Sequence, residues 1–228
     1  MKKTGAIAII PARFSSKRIL NKNIKKFFNY PIIYYTIKVA LDSGCFDNVY
    51  VSTDSEKIAK ISKKYGAKVP FIRSKSLSGD YTETVPVICD AINKIKKIED
   101  FNYVCCLYPA SPFIKKNNVK KAFKLSKKIN NLVFPVSKFE TPIDRNISIN
   151  KKKKIIFNKN KFFKRTQDLE QYFYDAGQFY FAPKNLFFNK KIINKDCSVI
   201  ILNKFESIDI NDPEDWKVAE KIYKIKKL

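Results

Sequence analysis

Apolar residues fall along this chain in two alternating rhythms: short unbroken runs, and longer stretches where they return every third or fourth position. Unbroken runs mark strands covered on both faces, and the wider spacing marks helices with one buried side. Ala6 to Ile10 is the first run, and Pro11 stops its ladder. Pro31 opens a helix carrying Ile33, Ile37, Ala40 and Leu41 on one side, and Gly44 closes it. Val49 to Ser52 reads as a strand, after which Asp54 or Ser55 caps a helix reaching Tyr65 and stopping at Gly66. Lys68 to Ile72 reads as a short third strand.

Thr82 caps a helix that turns Val85, Ile88, Ile92 and Ile95 inward, and the apolar strand Tyr103 to Tyr108 follows. A helix over about Lys115 to Ile129 leads to a strand over Leu132 to Val136. From 137 to 175 the rhythm breaks into short alternating segments around Ile147 to Ile149, Lys154 to Phe157 and Phe162 to Phe163. Set between polar turns, these read as a β-rich insertion, not as a second domain. Gln178 to Phe181 and Val199 to Leu202 return to the sheet. Asp212-Pro213-Glu214-Asp215-Trp216 then starts the last helix with a cap, a first-turn proline and acids at the positive dipole end. The pattern predicts an α/β chain: a Rossmann-like, doubly wound, mainly parallel sheet forming one domain over 1–228.

Composition narrows the chemistry. A core of this size needs neither disulfides nor metal, and the five cysteines, without a C-x-x-C pair, read as reduced core thiols of a cytoplasmic protein. With no histidine, Ser-His-Asp and Cys-His hydrolases and most zinc enzymes are excluded. Met1-Lys2-Lys3 is basic, but the apolar run behind it is too short to span a membrane and enters the Arg13 loop in place of a cleavage site. No leader and no membrane partner are expected. The net charge of +25 would by itself suggest a nucleic-acid partner. Yet Lys57, Lys60, Lys63 and Lys64, like Lys120, Lys121, Lys124, Lys127 and Lys128, fall where helices face water, so no nucleic-acid partner is expected. A basic nucleic-acid-binding protein, using Lys151 to Lys154, is the alternative from another class.

Candidate chemistry begins where the first run ends. Arg13, Lys17, Arg18 and Lys22, with Ser15 and Ser16, make a cationic, hydroxyl-rich loop at the carboxyl end of a strand, where open α/β sheets bind ligands. Neither G-x-x-x-x-G-K-[ST] nor G-x-G-x-x-G occurs. A phosphate site and a basic surface loop share this pattern. Likewise Arg73 and Thr84 suit a nucleotide or, equally, a salt bridge and a helix cap.

Ala12-Arg13-x-x-Ser16-Lys17-x-x-x-x-Lys22-Asn23 resembles the opening signature of the cytidylyltransferases that make CMP-activated nonulosonic acids, a group that includes CMP-sialic acid synthetases. Further segments match in order. They are Arg73-Ser74-x-x-Leu77-x-x-Asp80-x-x-x-Thr84, Leu107-Tyr108-Pro109-Ala110-Ser111-Pro112-Phe113, and Asp209-Ile210-Asn211 near the C-terminus. Between the last two, Arg165-Thr166-Gln167-Asp168-Leu169 and Asp175-Ala176-Gly177-Gln178-Phe179-Tyr180 are similar to the pseudaminic acid branch, as is Tyr108 in place of glutamine.

The resemblance implies a nucleotidyltransferase-type sheet that transfers CMP from CTP to the anomeric hydroxyl of pseudaminic acid, with legionaminic or sialic acid as alternatives. It implies nucleotide contacts from Arg13, Ser16, Lys17, Lys22, Asn23, Arg73, Thr84, Tyr108 and Ser111, with Arg13, Lys22 and Asp209 catalytic. Arg165, Asp175, Gln178 and Tyr180 would meet the sugar's carboxylate, hydroxyl and acetamido groups. Asp209 and Asn211 would hold Mg²⁺, with Asn211 replacing a second acid, and the insertion would build a homodimer.

Overall fold

The computed structural model describes residues 3–189 and 191–227, so Met1 and Lys2 of the basic start lie outside the described residues. Among these residues a seven-stranded sheet has the path β11 (Ser198–Leu202), β6 (Val133–Lys138), β10 (Phe179–Pro183), β5 (Tyr103–Leu107), β1 (Ala6–Pro11), β4 (Asn48–Ser52). The seventh strand, β9 (Phe173–Asp175), pairs antiparallel with the far end of β6. β4, β1, β5, β6 and β11 share one direction, and β10 runs against both its neighbours.

The chain passes from β1 to β4 through α1 (Ile32–Ser43), then crosses to the other side of β1, reaching β5 through α3 (Thr84–Ile95). That reversal opens a crevice above the carboxyl ends of β1 and β5, the usual ligand position in open parallel sheets. β1 is inaccessible from Ala6 to Ile10, as its unbroken apolar run requires. Its even-numbered side chains pack with α1, α2 (Glu56–Lys64) and α4 (Lys116–Ile129), and its odd-numbered ones with α3 and the turn Lys184–Phe188. A third cluster lies beside the crevice. There α6 (Pro213–Lys227) sets Trp216 and Ala219 against Phe27, Ile32 and Tyr35. Phe27 comes from a minimal hairpin, β2 (Lys26–Phe27) with β3 (Tyr30–Pro31), and meets Phe28, Tyr35, Trp216 and Tyr223 edge-on at 5.3–5.5 Å.

The insertion is anchored in the sheet at both ends, by β6 running on to Lys138 and by β9. Between them β7 (Ile147–Ile149) and β8 (Ile155–Phe157) form a separate hairpin. Ile147, Ile149, Ile155, Ile156 and Phe163 are all exposed on it or just after it. The lysines of α2 and α4 face water and all five cysteines are unpaired, as expected. Asp212 caps α6 through Oδ1, which accepts from the N–H groups of Glu214 and Asp215 at 2.9 Å.

Four local expectations are corrected. Lys68 to Ile72 makes only the isolated bridges Tyr50–Lys68 and Thr53–Ile72, because Pro70 has no N–H for a ladder. α3 starts at Thr84 with Glu83, not Thr82, at its N-cap. Leu41 is 43% exposed and lies over Gly66, whose φ of +92° disfavours any residue with a side chain. Phe162 ends a short helix, α5 (Lys159–Phe162), capped by Asn158, so that it and Phe163 pack with Phe157 and do not extend.

Replacing Phe27 by alanine empties the centre of the third cluster and is expected to cost about 3–5 kcal/mol in urea unfolding. Half-exposed Leu41→Ala should cost much less in the same measurement.

Candidate active site

The loop behind β1 is fixed from two sides. Ala12 extends the pairing of β1 with β4, its N–H donating to the Ser52 carbonyl at 2.9 Å. Ser55 caps α2 by accepting from the Ile58 N–H at 3.4 Å, which leaves Asp54 to accept from the Phe14 N–H at 2.8 Å. From the far end of the loop, buried Asn23 donates from Nδ2 to the Arg13 carbonyl at 2.8 Å. The backbone of Arg13 is thereby held while its side chain enters the cleft.

That cleft encloses about 600 Å³, and Arg13, Lys17, Arg18, Lys22 and Arg73 all line it. Asn21, in the left-handed region at φ 53°, starts the short turn that presents Lys22. Lys22 Nζ donates to the Ile210 carbonyl at 2.7 Å. Burial lowers its pKa, with Arg18 and Arg13 adding to the effect and Asp209 opposing it. Arg73 is 4% exposed and donates to the Ser52 carbonyl at 3.1 Å and to Ser78 Oγ at 3.2 Å, with Asp54 4.0 Å away. Burial also lowers its pKa, although Asp54 opposes this.

Of the residues expected to meet the nucleotide, Arg13, Ser16, Lys17, Lys22, Asn23, Arg73, Thr84 and Tyr108 line the cleft. Ser111 is not among the lining residues; its carbonyl accepts from the Ile114 N–H at 3.3 Å in the turn beyond Pro109. Gly79, Tyr81 and Thr82 line the cleft and were not singled out from the sequence. Their position between Leu77 and Thr84, two matched positions, is the available signal, since a loop joining two site residues must border the same space. Tyr81 is 99% exposed.

The residues expected to meet the sugar divide. Tyr180 lines a second cavity of about 210 Å³ with Val85, Ile88, Cys106, Phe187, Ile192 and Ile193, and Thr84 and Tyr108 line both spaces. Asp175 accepts the Tyr180 hydroxyl at 2.5 Å and the Gly177 N–H at 2.9 Å. Burial and this carboxylate push the Tyr180 pKa up, so the phenol stays protonated. Gln178 is buried. It donates to the Glu206 carbonyl, and its own Oε1 has no partner. Arg165 lines neither cavity; its exposed side chain pairs with Asp168 at 2.9 Å.

Asn211 lines the cleft and donates from Nδ2 to Asp209 Oδ2 at 2.6 Å. Among the described residues no group of three or more His, Cys, Asp or Glu could hold a metal. One carboxylate beside an amide does suit a hard cation that takes most of its ligands from phosphate and water, as Mg²⁺ does. The donor set therefore fits an ion arriving with a nucleotide better than a resident one.

A cation-lined crevice at the switch point of a doubly wound sheet defines the class of nucleotide-using α/β enzymes. Residues 7–207 match the family described as Cytidylyltransferase, and the chain belongs to that family. It is 37% identical over 223 residues to a pseudaminic acid cytidylyltransferase of Campylobacter jejuni, covering 96% of each chain. A CMP-N,N'-diacetyllegionaminic acid synthase of Legionella pneumophila is 33% identical over 228 residues, again covering 96% of both. The fold is also similar to that of a CMP:2-keto-3-deoxy-manno-octonic acid synthetase complexed with CTP, with a TM-score of 0.71, 13% identity and full coverage of both chains.

Arg73→Met would remove the guanidinium bonds to the Ser52 carbonyl and Ser78 Oγ, leaving Ser52 only the Ala12 N–H, and is expected to cost about 1–3 kcal/mol in urea unfolding of the ligand-free protein. Arg73→Lys should not recover it, because one ammonium cannot reproduce the spread of a guanidinium over separate acceptors.

Proposed function

We propose that this protein transfers CMP from CTP to the anomeric hydroxyl of pseudaminic acid, releasing pyrophosphate. The observation that carries the proposal is the convergence of Arg13, Lys17, Arg18, Lys22 and Arg73 on one cleft at the carboxyl end of β1. The sugar is supported by the identity to the Campylobacter relative and by the apolar-walled cavity beside the cleft.

In this mechanism Arg13, Lys17, Arg18 and Lys22 bind the phosphates of CTP, and Ser16 adds a hydroxyl donor. The anomeric hydroxyl gives its proton to water as its oxygen attacks the α-phosphorus in line, a P–O bond forms, and the bond to the pyrophosphate oxygen breaks. Negative charge grows on the phosphoryl oxygens, so donors already fixed in place are effective. Two such donors are Arg13, held through its carbonyl by Asn23, and Lys22, tethered to Ile210. Asp209, with the amide oxygen of Asn211, would hold Mg²⁺, which when bound neutralises phosphate oxygens as a Lewis acid. The second cavity accepts the methyl groups of the sugar acid against Tyr180, Ile192 and Ile193.

Arg165 lies on the insertion, away from both cavities, and the exposed Ile147, Ile149, Ile155, Ile156 and Phe163 lie close to it in sequence. We assign these apolar side chains to a homodimer contact that carries Arg165 toward a neighbouring copy's sugar cavity. The reaction is assigned to the cytoplasm, where CTP is made.

With CTP and Mg²⁺, pyrophosphate release is expected from pseudaminic acid at more than ten times the rate seen with legionaminic or sialic acid. Release only with another nonulosonic acid would overturn the sugar assignment. Arg13→Ala and Asp209→Ala should each lower kcat/KM by about ten- to a hundredfold, in keeping with loss of one charge-assisted contact. Ile149→Ser with Phe163→Ser should shift sedimentation from dimer toward monomer; an unchanged dimer would remove the insertion from the interface.

A further inference from the structure

Asp80 stands among the cations that a triphosphate would use. Its carboxylate oxygens pair with Arg13 Nη1 at 3.1 Å and Lys17 Nζ at 2.5 Å, and the neighbouring Gly79 carbonyl accepts from the same Arg13 nitrogen at 3.1 Å. These contacts cross the cleft. Arg13 and Lys17 come from the loop behind β1 and Asp80 from the loop ahead of α3, and all three line the same space. The ammonium of Lys17, followed by the Arg13 guanidinium, holds the Asp80 carboxyl below its usual range, so it is an anion at neutral pH.

We propose that Asp80 is a built-in competitor for phosphate: it occupies Arg13 and Lys17 in the free enzyme, is displaced by the triphosphate, and restores its pairs as pyrophosphate leaves. The proposal rests on the assignment of this cleft to CTP. Its direction follows from three observations. The pairing side chains are exposed by 28% for Asp80, 37% for Arg13 and 81% for Lys17, and ion pairs so open to water are weak. A phosphate chain offers several anionic oxygens in bidentate geometry against a single carboxylate, so it wins the same two cations. A carboxylate that stayed in place would face those oxygens across one guanidinium, with like charges in contact. The backbone of Arg13 is fixed by Asn23, so exchange asks only its side chain to turn. On the other wall, fully exposed Tyr81 does not pin the Asp80 loop against the protein.

The consequence follows from linkage. If the paired form must open before Arg13 and Lys17 can bind phosphate, the apparent dissociation constant of every ligand using them is raised by one common factor. CTP and pyrophosphate share that factor, and cytidine, which reaches neither cation, does not. Asp80 thereby weakens substrate binding and hastens loss of the charged product from a strongly cationic cleft.

Calorimetric titration of wild type, Asp80→Asn and Asp80→Glu with pyrophosphate, CTP and cytidine at low ionic strength tests this. Asp80→Asn is expected to bind pyrophosphate and CTP about three- to tenfold more tightly, with cytidine unchanged and product inhibition by pyrophosphate setting in at correspondingly lower concentration. Asp80→Glu should stay near wild type. Weaker or unaltered binding of both anions by Asp80→Asn would overturn the proposal, since a residue that merely braces Arg13 predicts weakening. Tighter cytidine binding would overturn it too. Wild type that binds neither CTP nor pyrophosphate would overturn the assignment of the cleft itself, whereas wild type that binds both, with Asp80→Asn unaltered, would overturn the competitor role alone.

Discussion

Five like charges share one cleft, and among the described residues only two of them, Arg13 and Lys17, are closely paired with a carboxylate, that of Asp80. Lys22 is tethered by the Ile210 carbonyl and Arg73 by the Ser52 carbonyl, dipoles that fix a cation in place yet leave its charge available. Carboxylates stand further back or on exposed side chains: Asp54 is 4.0 Å from Arg73, and Asp80 meets Arg13 and Lys17 near the surface. An anion entering the cleft therefore meets an excess of positive charge between protein walls, where field lines concentrate and attraction exceeds its value in open water. The lowered pKa values of Lys22 and Arg73 record what this arrangement costs the free protein.

Holding these groups draws both ends of the chain to one place. The Lys22–Ile210 contact spans 188 residues of sequence. It persists because α6 is packed onto the hairpin of β2 and β3 through Phe27 and Trp216, only a few residues from each partner. On the opposite side Gln178 holds the Glu206 carbonyl, while the Glu206 carboxylate is gripped by Lys115 and Asn118 at the start of α4. The segment carrying Asp209 and Asn211 is thus fastened at Glu206, at Ile210 and by the cap of α6.

Much of this was legible in the sequence where the determinant is local. The run Ala6 to Ile10, the cationic loop after it and the capped start of α6 are written in consecutive residues, and each formed where expected. Features decided by distant partners were not legible. An apolar strand such as Phe179 to Pro183 has the same pattern whichever way it runs, so the reversed direction of β10 leaves no trace in its residues. Leu41 keeps the spacing of a core position but faces Gly66 near the surface. Arg165 has the chemistry of a carboxylate ligand, yet nothing within one chain brings it to a cavity. Asp80 belongs to a matched segment, but its role became visible only when its partners across the cleft were known.

The reversed strand is what joins the two cavities. In a parallel strand only the last residues reach the carboxyl edge of the sheet, but β10 arrives there with its first. Phe179 therefore pairs with Leu107, and the Tyr108 N–H donates to the Gln178 carbonyl at 2.9 Å. This delivers Asp175, Gln178 and Tyr180 to the edge already occupied by the cationic loop of β1. Tyr180 and Tyr108 meet there at a ring distance of 5.7 Å, and Tyr108 reaches Thr84 at 3.3 Å. Thr84 and Tyr108 are consequently the partition between the charged cleft and the apolar cavity. On the proposed assignment, with phosphate on one side and the sugar acid on the other, the reacting atoms would meet at that partition. The direction of one strand would then fix where transfer takes place, although β10 itself contributes no lining residue to the charged cleft.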